Sequence, residues 1–338
     1  MTRLLSRFLS FLCINAALYC GGACDLAGIA GDIDRGNLAA AETKLKAVEA
    51  AGQRCDELLL QAGRLKFAQA DFTGAEDLFS RFVNAAPKDA RGYYQIALVA
   101  LVKGDYQRAD HLSSLALSYQ PEYAEALVVH GRLLAMKGQT AEALAALQRA
   151  CALKPQDAEG HFQLGALFDR QKRYSEALGQ FERVVAINPS DARAWDYLGL
   201  DLEPLGQIER AEAAFGKGLE MNQGRWADKF LDYNYGRFLC KQGRLEESRK
   251  HLDRALDLTP SVRAVHYEHA KLSLRMRNLT PARREAEKAL ELPDHAGVIL
   301  DLQVYYLLQQ IYSQIGESAL ARKYADLARS TPIPPRGR

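Results

Sequence analysis

The sequence lacks the short motifs that mark nucleotide-binding and hydrolytic sites. It contains no glycine-rich phosphate loop, no GxSxG nucleophile elbow and no CxxC pair. It also lacks an excess of charge, because 44 lysines and arginines balance 42 aspartates and glutamates. Composition therefore gives no reason to expect a nucleic-acid partner. Together these absences predict a protein without a catalytic centre or cofactor.

The nearest approach to a metal site is the stretch from His266 to His269. Two histidines three residues apart can share one face of a helix, and Glu268 lies between them. A usable zinc site needs at least three convergent ligands, and the sequence offers no clear third. We therefore predict no metal site.

The amino terminus has the composition of a secretory signal. Residues 1–7 carry Arg3 and Arg7 without an acid, residues 8–20 form an apolar run, and small residues follow at 21–23. The 13-residue run is shorter than the roughly 20 residues that a membrane-spanning helix needs. We predict a signal peptide at 1–23 and an exported chain, periplasmic or secreted, without an integral membrane span.

Two alternatives remain open at this end of the chain. Cys24 could become a lipid-anchored amino terminus, although Gly21 stands where bacterial lipoprotein signals favour leucine. The apolar run could also be a retained anchor or a fortuitous helix. In an oxidising compartment Cys24 could form a disulfide with Cys55, and the alternative is that each is a small buried residue.

A fixed spacing of 34 residues organises most of the chain. It separates Pro87, Pro121, Pro155 and Pro189, and this is the length of one helical hairpin, not of a heptad. Two columns of small residues keep the same register, as two closely packed helices require. The first column is Gly63, Ala97, Gly131, Gly165, Gly199, Gly236 and Ala270, and the second is Ala75, Ala109, Ala143, Ala177, Ala211, Ser248 and Ala282.

Each period also carries signals for where its helices end and begin. Proline after Asn188 disfavours a helical residue before it, and Asp191 then offers a carboxylate to the free N–H groups of the next helix. We predict the same N-cap at Asp89 and Asp157, and we predict Thr280 as the N-cap of a second helix. Glycine turns join the paired helices at Gly104, Gly138, Gly206 and Gly243.

These columns resemble the tetratricopeptide repeat family. Residues 192–223 match best, with Trp195, Leu198, Gly199, Gly206, Ala211 and Phe215 at the signature positions. The resemblance implies an all-α, right-handed α-solenoid of about nine helical hairpins. Asp232 and His266 depart from it, because a large aromatic residue is usual there. The implied units lie near 24–55, 56–89, 90–123, 124–157, 158–191, 192–228, 229–262, 263–296 and 300–331, followed by a disordered tail at 332–338.

The resemblance also implies that the first helix of each hairpin lines a concave groove. The positions that face this groove are rich in aromatic and basic side chains, which are typical of a peptide hot spot. The alternative is that these inner residues are simply half-packed. The predicted partner-binding residues are Arg64, Phe67, Tyr94, Arg132, Phe162, Arg170, Tyr233, Arg237, Lys241, Tyr267, Lys271 and Arg275.

The function that these features predict is that of a non-catalytic exported scaffold or adaptor. It would bind a protein or peptide ligand with acidic and apolar residues through the concave face. The main alternative is an accessory subunit of a cell-envelope assembly, pilus or polysaccharide-export machine. An enzyme with its site in the groove is a third class, for which the sequence shows no motif.

Overall fold

The computed structural model describes residues 26–52, 55–224, 227–293 and 299–332. Within these ranges there are eighteen α-helices and no strand, so the prediction of an all-α chain of helical hairpins is confirmed. No helix of these ranges has the length and apolar character needed to cross a bilayer. The predicted signal peptide and nearly all of the predicted tail lie outside the described residues. The chain divides into two compact units, one ending at Pro155 and the other beginning at Gln156.

The first unit holds four hairpins, each made of two consecutive antiparallel helices. Every first helix also contacts the first helix of the next hairpin, so these helices form one layer of the unit. The helices are α1 (Leu26–Asp34), α2 (Leu38–Ala50), α3 (Asp56–Ala68), α4 (Phe72–Ala85), α5 (Ala90–Val102), α6 (Tyr106–Tyr119), α7 (Ala124–Met136) and α8 (Thr140–Leu153).

The second unit holds five hairpins with the same pairing. Its first helices, α9, α11, α13, α15 and α17, again contact one another in order. The helices are α9 (Ala158–Arg170), α10 (Tyr174–Ile187), α11 (Ala192–Leu202), α12 (Ile208–Met221), α13 (Leu231–Lys241), α14 (Leu245–Leu258), α15 (Arg263–Arg275), α16 (Leu279–Glu291), α17 (Asp301–Ile315) and α18 (Ser318–Ser330).

The predicted aspartate N-caps are confirmed. Asp89 accepts a hydrogen bond from the backbone N–H of Arg91 at 3.0 Å, and Asp191 accepts one from Arg193 at 3.2 Å. Asp157 does the same for two backbone N–H groups at 3.3 Å. These side chains satisfy donors that the first turn of a helix leaves without a partner.

The predicted N-cap at Thr280 is wrong. Helix α16 begins at Leu279, and Asn278 occupies the N-cap position. The turn before it passes through Arg277, which takes a left-handed conformation with φ of 59° where other turns place a glycine such as Gly243. Pro281 therefore lies inside the first helical turn, where its missing N–H costs little.

The first column of small residues marks where two helices of a hairpin touch. A β-carbon placed on Gly165 would lie 2.9 Å from the ring of Phe181, and one on Gly199 would lie 2.6 Å from the ring of Phe215. Each ring lies sixteen residues after its glycine. Where the column holds alanine, as at Ala97 and Ala270, the residue sixteen positions later is small: Ser113 and Ala286. A larger residue in the column is thus matched by a smaller one sixteen positions later, so the space between the two helices stays filled.

A second recurring contact explains the histidine in the aromatic position. Trp195 donates its indole N–H to the carbonyl of Pro189 at 2.9 Å, and Tyr93 donates its hydroxyl to Pro87 at 2.8 Å. His266 makes the equivalent bond through Nε2 to Pro260 at 3.0 Å. Histidine therefore replaces the aromatic residue as the donor that ties a helix to the turn before it.

The other ring nitrogen of His266 faces a carboxylate of the second helix. Nδ1 lies 2.7 Å from Oε2 of Glu285, and Asp232 and His251 form the corresponding pair one hairpin earlier at 2.7 Å. Burial opposes the charged imidazolium, but the hydrogen bonds to Glu285 and Pro260 outweigh it, and the pKa of His266 is raised. The same pair lowers the pKa of Glu285 to about 2.

We predict that Gly165→Ala lowers the free energy of unfolding by about 1–3 kcal/mol, because its new methyl group overlaps the ring of Phe181. Gly179→Ala is the matched control. Gly179 lies in the same hairpin, but its β-carbon would meet no atom within 4 Å. Alanine there should stabilise the helix by about 0.5–1 kcal/mol. Urea titration of both variants measures the difference, and equal effects would contradict the packing described.

We predict that His266→Gln changes how thermal stability depends on pH. The raised pKa of His266 gives stability that is complete below its ordinary value of 6.5 and is lost as pH rises through the raised pKa. The lowered pKa of Glu285 gives stability that is present above 4.5 and is lost as pH falls toward about 2. The variant should therefore lose most at pH 5–6.5 and least at high pH. His111→Gln, on the exposed face of α6, is the control. A loss that stays constant across pH would argue against the charged pair.

Candidate functional site

A cavity opens on the layer of first helices in the second unit. Its volume is about 430 Å³, and it brings two of the predicted binding residues, Arg237 and Lys241, against apolar walls and two acids. It is lined by Asp169 of α9, Tyr174 of α10, Leu200 of α11, then Glu203 and Pro204, and Arg237 and Lys241 of α13.

Glu203 lies closer to Lys241 than to Arg237. Lys241 forms a close ion pair with it at 2.6 Å, whereas the nearest nitrogen of Arg237 is 4.0 Å away. The Nε atom of Arg237 is buried and has no hydrogen-bond partner among the described residues, while the side chain as a whole is 30% exposed. A half-buried guanidinium normally has acceptors, because losing water without replacing its hydrogen bonds is costly. Arg237 is therefore able to bind a ligand oxygen.

The predicted pair Tyr233 and Tyr267 continues the same layer on α13 and α15. Tyr233 packs against a buried cluster that includes Leu252, and burial, followed by the nearby charge of Glu268, raises its pKa to about 12. The Lys271 ammonium lies 5.3 Å from the centre of the Tyr267 ring. Both tyrosines are half-buried, and burial raises the pKa of each hydroxyl, so both are neutral.

Charges on α15 are also partly matched within the layer. Lys271 pairs with Glu268 at 2.8 Å. Arg275 donates to the backbone carbonyl of Cys240 and lies 3.2 Å from its sulfur. Four cations of α13 and α15 thus face two acids, Glu203 and Glu268, which leaves this part of the layer with positive charge in excess.

Phe162 does not belong to the exposed part of this layer. It is 8% exposed, and the rings of Phe181 and Tyr197 pack edge-on against it at 5.6 and 5.5 Å. Arg193 covers its face, with the guanidinium 4.3 Å from the ring centre. Arg170, also predicted, is exposed at the end of α9.

The other four predicted residues lie in the first unit, and three of them contact neighbours there. Arg64 forms an ion pair with Asp34 at 2.6 Å. Phe67 packs edge-on against Phe72 at 5.4 Å, and Tyr94 packs against Tyr123 at 5.1 Å. Arg132 is exposed on α7.

Sequence reasoning missed the acids of the cavity. Asp169 and Glu203 each lie four residues after a glycine of the small column, the same place in the repeat as the predicted binding residue Phe67. Behind Asp169 lies Asp201 of α11, which is fully buried and has no hydrogen-bond donor on either oxygen. Burial, followed by contact with Asp169, raises the pKa of Asp201 to about 9. Applying the register of Phe67 to the later hairpins would have found Asp169 and Glu203.

Asp196 is a second buried acid of this region. It is 2% exposed and accepts a hydrogen bond from Asn234 at 2.6 Å, while its other oxygen has no donor. Burial, then the charge of Asp228, raises its pKa well above the usual value. It lies 34 residues after the predicted binding residue Phe162 and, like Phe162, is buried.

The two histidines considered as metal ligands have other partners. His266 contacts Glu285 and Pro260 as described, and Nε2 of His269 lies 2.9 Å from Asp253. In the described ranges, no three side chains of the metal-binding types converge on one point.

Sequence models of the tetratricopeptide repeat match more than half of the chain. A model described as TPR repeat matches residues 131–172, and two described as Tetratricopeptide repeat match residues 158–191 and residues 60–115 with 197–263. Among curated proteins, none matches this sequence.

Several solved structures share the fold. One chain of the Cut9–Hcn1 hetero-tetramer of the APC/C superposes with a TM-score of 0.68 at 16% identity, covering 80% of this chain and 51% of that one. A tetratricopeptide repeat protein from Parabacteroides merdae gives 0.55 at 17% identity, with 76% and 98% covered. PilF from Pseudomonas aeruginosa gives 0.53 at 16% identity, with 71% and 98% covered. At these identities the likeness concerns the fold alone.

Proposed function

Because the chain belongs to the tetratricopeptide repeat family, we propose that it is a non-catalytic adaptor that binds a segment of another protein. The binding face is the layer of α9, α11, α13 and α15 in the second unit. Members of this family commonly recognise peptides with their first helices, and here that layer carries a cavity of about 430 Å³. An extended or helical segment fits an open cavity of this kind better than a small molecule does.

One observation carries the proposal: Arg237 at the cavity wall has a buried Nε without a hydrogen-bond partner among the described residues, and the Glu203 carboxylate lies 4.0 Å from its nearest terminal nitrogen. Its planar fork matches a carboxylate or a pair of backbone carbonyls. Leu200 and Pro204 form an apolar wall beside it. A peptide that places an acidic residue at Arg237 and an apolar residue against Leu200 would satisfy both.

The charge of α13 and α15 favours an acidic ligand. The cations Arg237, Lys241, Lys271 and Arg275 outnumber the acids Glu203 and Glu268. An acidic segment would therefore be attracted to this end of the layer, and the attraction would weaken as salt screens it. Tyr233 and Tyr267 supply aromatic area at a low cost in side-chain entropy, as anchors at protein interfaces do.

We predict that Arg237→Gln combined with Lys241→Gln weakens capture of the partner at least tenfold, which is about 1.4 kcal/mol. The partner is obtained by crosslinking and affinity capture from the native source, and its affinity is then measured by calorimetry. Because the two side chains are partly exposed, helicity and melting temperature should change little. A stable stoichiometric complex would favour the envelope-machine subunit over the adaptor.

Lys250→Gln is the control for that variant. Lys250 is exposed on the second helix α14, so the change removes the same charge away from the layer of first helices. If Lys250→Gln weakens capture as much as the double variant does, the cavity is not the binding site. The same conclusion follows if the double variant binds as tightly as the unchanged protein.

We also propose that the adaptor acts outside the cytoplasm. The support is the order of basic, apolar and small residues in 1–23, which lie outside the described residues. In the native source, we predict an exported chain that begins at or near Cys24. Amino-terminal sequencing and intact mass of the exported protein measure this directly. A soluble cytoplasmic chain that retains Met1 would contradict it, and a lipid on Cys24 would favour the anchored form.

A further inference from the structure

The charged groups of the cavity are not equally matched. Lys241 and Arg237 both pair with Glu203, at 2.6 and 4.0 Å. Asp169, on the opposite wall, has no lysine, arginine or histidine within ion-pair distance among the described residues. The acid that touches it, Asp201, adds a second carboxyl group instead of a balancing cation. One end of the cavity thus carries negative charge that the protein leaves unbalanced.

Asp201 occupies a position that the fold fills with hydrocarbon elsewhere. It lies two residues after Gly199 of the small column, and it is fully buried. The residues at the same place in six other hairpins are apolar and buried: Leu65, Val99, Leu133, Leu167, Phe238 and Leu272. Hairpin packing therefore does not require a carboxyl group here. An acid buried without a hydrogen-bond donor destabilises a fold, and such groups occur most often at functional sites.

Two adjacent carboxyl groups cannot both be charged in a buried setting. Of the groups facing Asp201, Asp169 on α9 is the only titratable one described, and α10, α12 and α13 bring no charge against it. Asp201 accordingly holds its proton at neutral pH. Of the two carboxyl groups, the one that lines the cavity is that of Asp169.

We propose that the ligand presents a cationic group, a lysine or arginine side chain or an amino terminus, to Asp169. This inference rests on the proposed function, since it concerns the same cavity. It also gives the ligand a direction: its cation lies at α9, and its acidic residues lie toward α13 and α15. A cation at Asp169 favours the charged form of Asp201, so binding releases a proton and strengthens as pH rises toward about 9, the pKa of Asp201 in the free protein.

The test is selection of a phage-displayed random nonapeptide library on the full chain. The expected result is enrichment of peptides that combine acidic and apolar residues with one lysine or arginine. Peptides selected on Asp169→Asn should lack the basic residue and retain the acidic ones. Selection on Arg237→Gln with Lys241→Gln should lose the acidic residues and keep the basic one. Asp257→Asn, on the exposed part of α14, should select as the unchanged protein does.

Calorimetry with the best selected peptide then tests the role of Asp201. Replacing the peptide's lysine with glutamine should weaken binding to the unchanged protein at least tenfold, and to Asp169→Asn less than twofold. In phosphate and Tris at pH 7.5, the unchanged protein should release protons on binding. Asp201→Asn should keep the preference for lysine and release none.

The outcomes separate the two proposals. Enriched acidic and apolar peptides without a basic residue, or a lysine preference that survives Asp169→Asn, would overturn the cation site and leave the adaptor function intact. Absence of any enriched peptide, or enrichment unaffected by every cavity variant, would overturn both. Lysine preference without proton release would overturn the coupling to Asp201.

Discussion

Close approach of two helices at a single small residue is the constraint on which each hairpin depends. The ring of Phe181 or Phe215 lies where the β-carbon of Gly165 or Gly199 would otherwise be. This contact sets the spacing of the two helices, and it orients the first helix so that its other side meets the first helix of the next hairpin. The layer that carries the cavity exists because a small residue recurs at this place in the hairpins that form it, at Gly165, Gly199, Gly236 and Ala270.

Much of the fold could be predicted because its signals are local. The aspartate N-caps and the glycine turns each depend on only a few neighbouring residues, and the structure has both where the sequence predicts them. The 34-residue spacing repeats these local signals along the chain. The predicted N-cap at Thr280 was wrong because Arg277 takes the left-handed turn conformation that is usual for glycine. Asp232 and His266 depart from the aromatic residue that is usual at their position. Their hydrogen-bond partners lie on the second helix of the hairpin, nineteen residues later, where a local pattern could not indicate them.

The candidate site was harder to predict because its contacts cross from one hairpin to the next. Helical spacing predicted that Arg237 and Lys241 share a face. It could not predict their contact with Glu203 of the preceding hairpin, because Glu203 and Lys241 are 38 residues apart in the sequence. Phe162 shares their register, yet Arg193 of the next hairpin covers it. Register on one helix indicates a face, whereas exposure and net charge depend on what the neighbouring hairpin contributes.

The bond from Tyr93, Trp195 or His266 to a proline carbonyl has a consequence for how such repeats diverge. What the three side chains share is a flat ring that carries a donor, not hydrophobicity. A hairpin can therefore exchange an indole for an imidazole and keep its junction, while its resemblance to a consensus sequence fades. In these three hairpins the feature that persists is a ring donor six residues after a turn proline, not aromatic character.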